Sequence, residues 1–185
     1  RNKFTLGAST ERLHDNRGTG SSEGLAATSR IEPDEYDLNG LSALWEYGAD
    51  TARFGASFNA AVSDIEYSNN RLETQFRNRD EVSLQARLYG RVQSKTRFFV
   101  ELEAREIEYD TLPITGGSLD SDQDTFSVGV VWEATGKTTG TVKIGTTDKE
   151  FSDAGSSDAD LTTWEVEVLW SPRTYSSVYF TSSSS

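Results

Sequence analysis

The chain of 185 residues contains no cysteine, no methionine and only one histidine. Without cysteine it has no disulfide framework, no thiol nucleophile and no cysteine-based metal site. Because position 1 is not methionine, we expect the chain to start downstream of its initiator, where no signal peptide would be visible. Long hydrophobic runs are also missing, whereas a membrane-spanning helix needs about 20 consecutive apolar residues. Helical membrane insertion is therefore excluded.

Positive charge is scarce as well. The 30 acidic and 18 basic residues give a net charge of -12, and the mean hydropathy is -0.59. A nucleic-acid-binding surface needs an excess of lysine and arginine, so nucleic acid is not expected as a partner. Low hydropathy is typical of a soluble domain, but the strands of a membrane β-barrel alternate apolar and polar residues and average to similar values. Composition is compatible with both classes.

The sequence has a strong two-residue alternation. Between positions 52 and 62 the even positions are all apolar, while the odd positions are mostly polar or small. The pattern recurs over 82–88, 98–104, 126–132 and 164–170, and more weakly over 4–8, 41–47, 142–144 and 178–180. Such alternation predicts strands with one apolar and one polar face. Eight or nine strands are therefore expected.

The predicted connections alternate in length. Short turns are expected at 48–51, 93–96, 135–138 and 171–174, and longer polar loops at 15–33, 68–79, 111–123 and 152–160. The segment 64–67 returns at 106–109 and more faintly at 148–151, which indicates a repeating hairpin. Short turns on one side and long loops on the other are typical of outer-membrane barrels. We predict an all-β, antiparallel up-and-down transmembrane barrel, a single domain over 1–185 that is incomplete at its C terminus; a soluble β-sandwich is the alternative.

Aromatic residues lie beside both kinds of connection. Amphipathic rings favour the headgroup zone, and barrels carry aromatic belts at both rims of their apolar band. The residues that we assign to these membrane interfaces are Trp45, Tyr47, Tyr67, Tyr89, Tyr109, Phe126, Trp132, Phe151, Trp164 and Trp170.

The predicted polar face carries regularly spaced charges. We expect Arg87 to lie opposite Glu101 or Glu103, and Arg105 near Ser83 or Gln85, because directly opposed residues share a face. Such pairs could bias which solutes pass a pore, but ion pairs that stiffen the wall are the favoured interpretation. The predicted lumen-facing residues are Arg87, Arg91, Glu101, Glu103, Arg105, Lys143, Glu165 and Glu167.

Metal binding and catalysis find little support. Acidic residues alternate in the predicted loops, at 120, 122 and 124 and again at 153, 158 and 160, where calcium could bind. The spacing lacks the glycine and terminal glutamate of an EF-hand, so solvated loops are favoured and no metal or cofactor is predicted. The lone His14 lies at the end of the first predicted strand, where a single histidine is more often incidental than catalytic. We do not expect an enzyme.

Two stretches carry a family resemblance: 131–140, VWEATGKTTG, and 164–176, WEVEVLWSPRTYS. They resemble the outer-membrane β-barrel proteins found with bacterial exopolysaccharide or capsule biosynthesis operons. The resemblance implies a place in the Gram-negative outer membrane and a pore or structural component linked to polysaccharide export or solute passage. Its expected partners are outer-membrane lipid or lipopolysaccharide, exopolysaccharide and export machinery. The alternative function is a secreted β-rich protein whose strands pair edge to edge into fibres or sheets.

Overall fold

One antiparallel sheet of nine strands makes up the fold. The computed structural model describes residues 1–15, 32–48, 52–112, 117–135, 137–153, 159–173 and 175–184. The strands are β1 (Asn2–His14), β2 (Glu35–Tyr47), β3 (Phe54–Tyr67), β4 (Arg79–Gln93), β5 (Thr96–Tyr109), β6 (Ser121–Thr135), β7 (Thr138–Phe151), β8 (Ala159–Arg173) and β9 (Ser176–Ser184). Their order in the sheet is their order in the chain. The all-β, up-and-down prediction is confirmed, and the sheet is open, with β1 and β9 as its edges.

Cross-strand register joins the apolar stripes of neighbouring strands into one face. Phe58 lies opposite Ala86, Ala86 opposite Leu102, and Leu102 opposite Phe126. Because directly opposed residues share a face of the sheet, this row is continuous over four strands. We call this side the apolar face. Its large side chains are exposed, as Leu6 (83%) and Leu88 (64%) show.

Burial is found on the other side of the sheet, which we call the polar face. Phe99, Glu101 and Ser127 are all less than 4% exposed there. Side chains therefore pack against one another on the polar face. This arrangement excludes the β-sandwich alternative for the described strands, since the apolar side chains face outward and do not meet in a core between two layers.

The connection between β3 and β4 is more ordered than a polar loop. It forms a short helix, α1 (Arg71–Thr74), followed by a 3-10 turn at Gln75–Arg77. The Asn70 side chain donates to the Asp34 carboxylate at 2.6 Å, and the Thr74 hydroxyl donates to the Asn69 carbonyl at 2.6 Å. Among the described residues, no helix has the length and apolar character required to cross a membrane.

Several predicted boundaries were wrong. β6 begins at Ser121, so positions 122 and 124 belong to a strand and not to a loop. β8 continues through the predicted turn at 171–174 as far as Arg173, because the Ser171 N–H donates to the Lys137 carbonyl at 2.7 Å and Arg173 still pairs with Ser176 of β9. β3 begins at Phe54, two residues later than the alternation suggested. Most of the predicted loop 15–33, and positions 49–51 of the first turn, lie outside the described residues.

Candidate functional site

The eight residues predicted to face a lumen all lie on the polar face. Register places Arg87 opposite Glu101, Lys143 opposite Glu165, and Glu103 opposite Gln85. Arg91, Arg105 and Glu167 occupy the same side of β4, β5 and β8. That this face lines a lumen stays a prediction.

Glu101 is the centre of an ion-pair network that spans five strands. Its carboxylate is 2% exposed and pairs with the Arg87 guanidinium. Gln85 donates to the same carboxylate at 3.1 Å, and the Lys143 ammonium lies 3.4 Å from its second oxygen. Lys143 is also 3.0 Å from Glu165 on β8. Alternating charges therefore run from β4 to β8 across the polar face.

Small residues on β6 and β7 make this network possible. β6 lies between Glu101 and Lys143 and presents Ser127 and Gly129 on the polar face. A Cβ at Gly129 would come within 2.3 Å of the Phe99 ring, and one at Gly145 within 2.4 Å of the Ser127 hydroxyl. Long side chains from β5 and β7 therefore meet over β6. Glycine inside a strand often marks such a close approach, a signal that our sequence analysis did not use.

A second ion-pair cluster lies nearer the long connections. The Glu81 carboxylate accepts from Arg79 at 2.8 Å and from Arg105 at 2.5 Å. Register puts Arg105 opposite Ser83, as one of the two predicted positions, yet its guanidinium extends past Ser83 to Glu81. Glu81, the diagonal neighbour on the other side of Ser83, was not among the predicted partners of Arg105.

Arginine dominates the other end of the polar face, beside the short turns. Arg91 on β4 lies directly opposite Arg97 on β5. The backbone N–H of Arg91 donates to the backbone carbonyl of Arg53 at 2.7 Å. Arg53, Arg91 and Arg97 therefore form a row of three arginines. Tyr89 stands beside this row, with the Arg87 and Arg97 guanidinium carbons 5.9 and 6.0 Å from its ring centre.

The predicted aromatic belts need a correction. Register puts six of the ten rings on the apolar face, where their interface role stays a prediction: Trp45, Tyr47, Phe126, Trp132, Trp164 and Trp170. The assignment does not hold for Tyr67, Tyr89, Tyr109 and Phe151, which lie on the polar face. Tyr67 is only 3% exposed, under the Arg77 guanidinium. Closeness to a turn predicts height along a strand but not the side on which a ring lies.

The acidic residues do not gather into a metal site in the part of the chain that the structure describes. There, no group of three or more histidine, aspartate or glutamate side chains is arranged to hold an ion. The Asp120 carboxylate accepts a hydrogen bond from the Tyr109 N–H at 2.7 Å. Asp122 and Asp124 are exposed residues of β6, and position 158 lies outside the described residues. His14 ends β1, opposite Glu35.

Comparison with known proteins identifies the family of the chain. A family model described as "Putative beta-barrel porin 2" matches residues 1–185. No curated protein and no solved structure matches the chain. The family description agrees with the up-and-down sheet and its exposed apolar face, and it indicates a pore-like role in an outer membrane. The match covers the whole chain, which therefore belongs to the beta-barrel porin 2 family.

Proposed function

We propose that this chain forms the wall of a water-filled pore in a bacterial outer membrane, with the apolar face against lipid and the polar face along the solute path. The observation that carries the proposal is the separation of the two faces. Large apolar side chains are exposed on the apolar face from β1 to β9, and the ion-pair network lies on the polar face. If water lay on both sides of the sheet, this apolar area would stay exposed to water, which is unfavourable. Lipid hydrocarbon against the apolar face removes that area from water and leaves the charged face hydrated.

Strand length agrees with this orientation. The outward positions of β4 from Val82 to Val92 are all apolar side chains or glycine. At about 3.3 Å per residue these ten steps span roughly 33 Å. A strand tilted by about 40° would then cover roughly 25 Å, the height of the apolar band of such barrels.

The polar face of β4 to β8 carries nearly balanced charge. Seven basic side chains (Arg79, Arg87, Arg91, Arg97, Arg105, Lys143 and Lys149) accompany six acidic ones (Glu81, Glu101, Glu103, Glu133, Glu165 and Glu167). Local clusters would therefore decide which solutes pass, and the net charge of the whole chain would not. Hydrophilic solutes are the class that such a wall fits.

Single-channel recording in a planar lipid bilayer tests the pore. Folded protein added from detergent should produce stepwise conductance in potassium chloride, and the same protein denatured by heat should not. Folded protein that binds to the bilayer and never conducts would contradict the proposal.

The finer proposal is that the solute is a bacterial polysaccharide and that the partners are lipopolysaccharide and export machinery. It is supported by the resemblance of 131–140 and 164–176 to barrels of exopolysaccharide and capsule operons. A soluble oligosaccharide prepared from such a polymer should then interrupt the conductance in a concentration-dependent way, while a neutral glucan of equal length should not. Equal block by both would count against this finer proposal.

A further inference from the structure

The row formed by Arg53, Arg91 and Arg97 places like charges side by side. Arg91 and Arg97 are directly opposed on β4 and β5, and Arg53, just before β3, is joined to Arg91 by a backbone hydrogen bond. Directly opposed like charges destabilise a sheet. The absence of a neutralising partner among the described residues is notable in a chain with 30 acidic residues. Among the described residues, no carboxylate forms an ion pair with any of the three guanidinium groups. The other central arginines of the polar face, Arg87 and Arg105, are paired.

Arg91 also has an unused donor. Its terminal nitrogen donates to the Ser94 carbonyl at 2.7 Å, which fixes the direction of the side chain. Its Nε is buried and has no acceptor within the described ranges. A buried hydrogen-bond donor without an acceptor destabilises the fold. Because this donor belongs to a charged guanidinium, an anion is the acceptor that forms the strongest hydrogen bond with it.

A small pocket lies at this place. Its volume is about 120 Å³, and its lining includes Arg53, Arg91, Arg97, Tyr89 and Ser57. Glu46 also contributes to the lining, but its carboxylate is engaged by Lys3 at 2.8 Å. At roughly 30 Å³ per water molecule in the liquid, the pocket has room for one oxyanion.

We propose that Arg53, Arg91 and Arg97 bind an oxyanion at the short-turn end of the polar face, with the Tyr89 hydroxyl as an additional donor. The ligand class is a carboxylate or a phosphate, since the planar guanidinium fork matches both in a bidentate way. An acidic sugar carries the first group and a phosphorylated solute the second. The inference deepens the proposed function, because it gives the solute path one site for anionic groups at one end.

Binding to the full chain, folded in a neutral detergent, tests this site without requiring a pore. Inorganic phosphate, glucuronate and glucose are titrated by calorimetry at low salt. We expect phosphate or glucuronate to bind and glucose not to bind, and the better of the two anions identifies the group. In the double variant Arg91→Gln/Arg97→Gln the affinity should fall about tenfold or more, because hydrogen bonds to charged groups are lost.

The matched control is Arg79→Gln/Arg105→Gln, which removes two paired arginines from the same face. It should keep the affinity within about twofold, as expected for changes distant from the site. An equal loss in both double variants would show mere net-charge attraction and overturn the site, as would binding of glucose as tight as that of glucuronate, or no anion binding by the wild type. Should the double variant not fold, Arg97→Lys keeps the charge but loses the fork, and unchanged affinity there would also overturn the proposal.

The two proposals fail separately. Anion binding in detergent by a protein that never conducts in bilayers would contradict the pore and support the site. Conductance by a protein that binds no anion would do the reverse.

Discussion

Glu101 shows how much a single side chain on the polar face is expected to contribute. It neutralises Arg87 and shares Lys143 with Glu165. Glu101→Gln leaves Arg87 without a carboxylate, so we expect the free energy of unfolding to fall by about 2 kcal/mol. This is below the ~3–5 kcal/mol for fully buried pairs, because Arg87 is partly exposed. Urea unfolding in lipid vesicles measures it.

Glu103→Gln is the control for this change. Glu103 lies two residues along the same face and forms no ion pair among the described residues. Its replacement should change the free energy of unfolding by no more than about 0.5 kcal/mol. Equal losses at positions 101 and 103 would mean that the network contributes nothing specific.

A second prediction at the scale of single residues concerns Gly129. Gly129→Ala would put a Cβ 2.3 Å from the Phe99 ring and 2.6 Å from the Val142 carbonyl. Phe99 would have to leave its position, so we expect a loss of stability of about 1–3 kcal/mol, typical of overpacking. Gly90→Ala is the comparison, since a Cβ there meets nothing within 4 Å. Thermal melting in detergent should separate the two, and similar melting temperatures would contradict the packing argument.

At the scale of one strand, the two faces of the sheet should respond oppositely to charge. Leu88 lies on the outward side of β4 and is 64% exposed. Leu88→Arg would place a cation in hydrocarbon, at a cost of about 2–4 kcal/mol near the bilayer midplane. Asn59→Arg, on the polar face of β3, should cost less than about 1 kcal/mol. Unfolding from vesicles provides both values, and equal sensitivity would contradict the assignment of the faces.

The edge of the apolar band also changes from strand to strand. On β4 the outward side chains are still apolar at Val82, but the residue opposite on β5 is Glu106, followed by Asp122 on β6. One row nearer the short turns, Asp124, Asp148 and Asp160 lie side by side on β6, β7 and β8. The boundary therefore crosses the hydrogen-bonded rows obliquely. Tilted strands of a barrel produce this offset, because the rows are then inclined to the membrane plane.

Over the whole molecule, all four tryptophans lie on the apolar face: Trp45, Trp132, Trp164 and Trp170. Lipids brominated on their acyl chains should therefore quench most of the intrinsic fluorescence of protein folded in vesicles, while aqueous acrylamide should quench little. A secreted fibre would give the opposite pattern. Strong acrylamide quenching without an effect of bromine would contradict the membrane orientation.

The sequence by itself indicated eight or nine strands and the polarity of their two faces, because an alternation of period two matches the side-chain period of an extended strand. It also determined that Arg87 and Glu101 share a face near one hairpin, since a short turn sets the register. The tertiary structure decided what depends on three or more strands. The contact between Glu101 and Lys143 over Gly129, and the row of Arg53, Arg91 and Arg97, require registers that accumulate across successive hairpins. No single stretch of sequence specifies that sum.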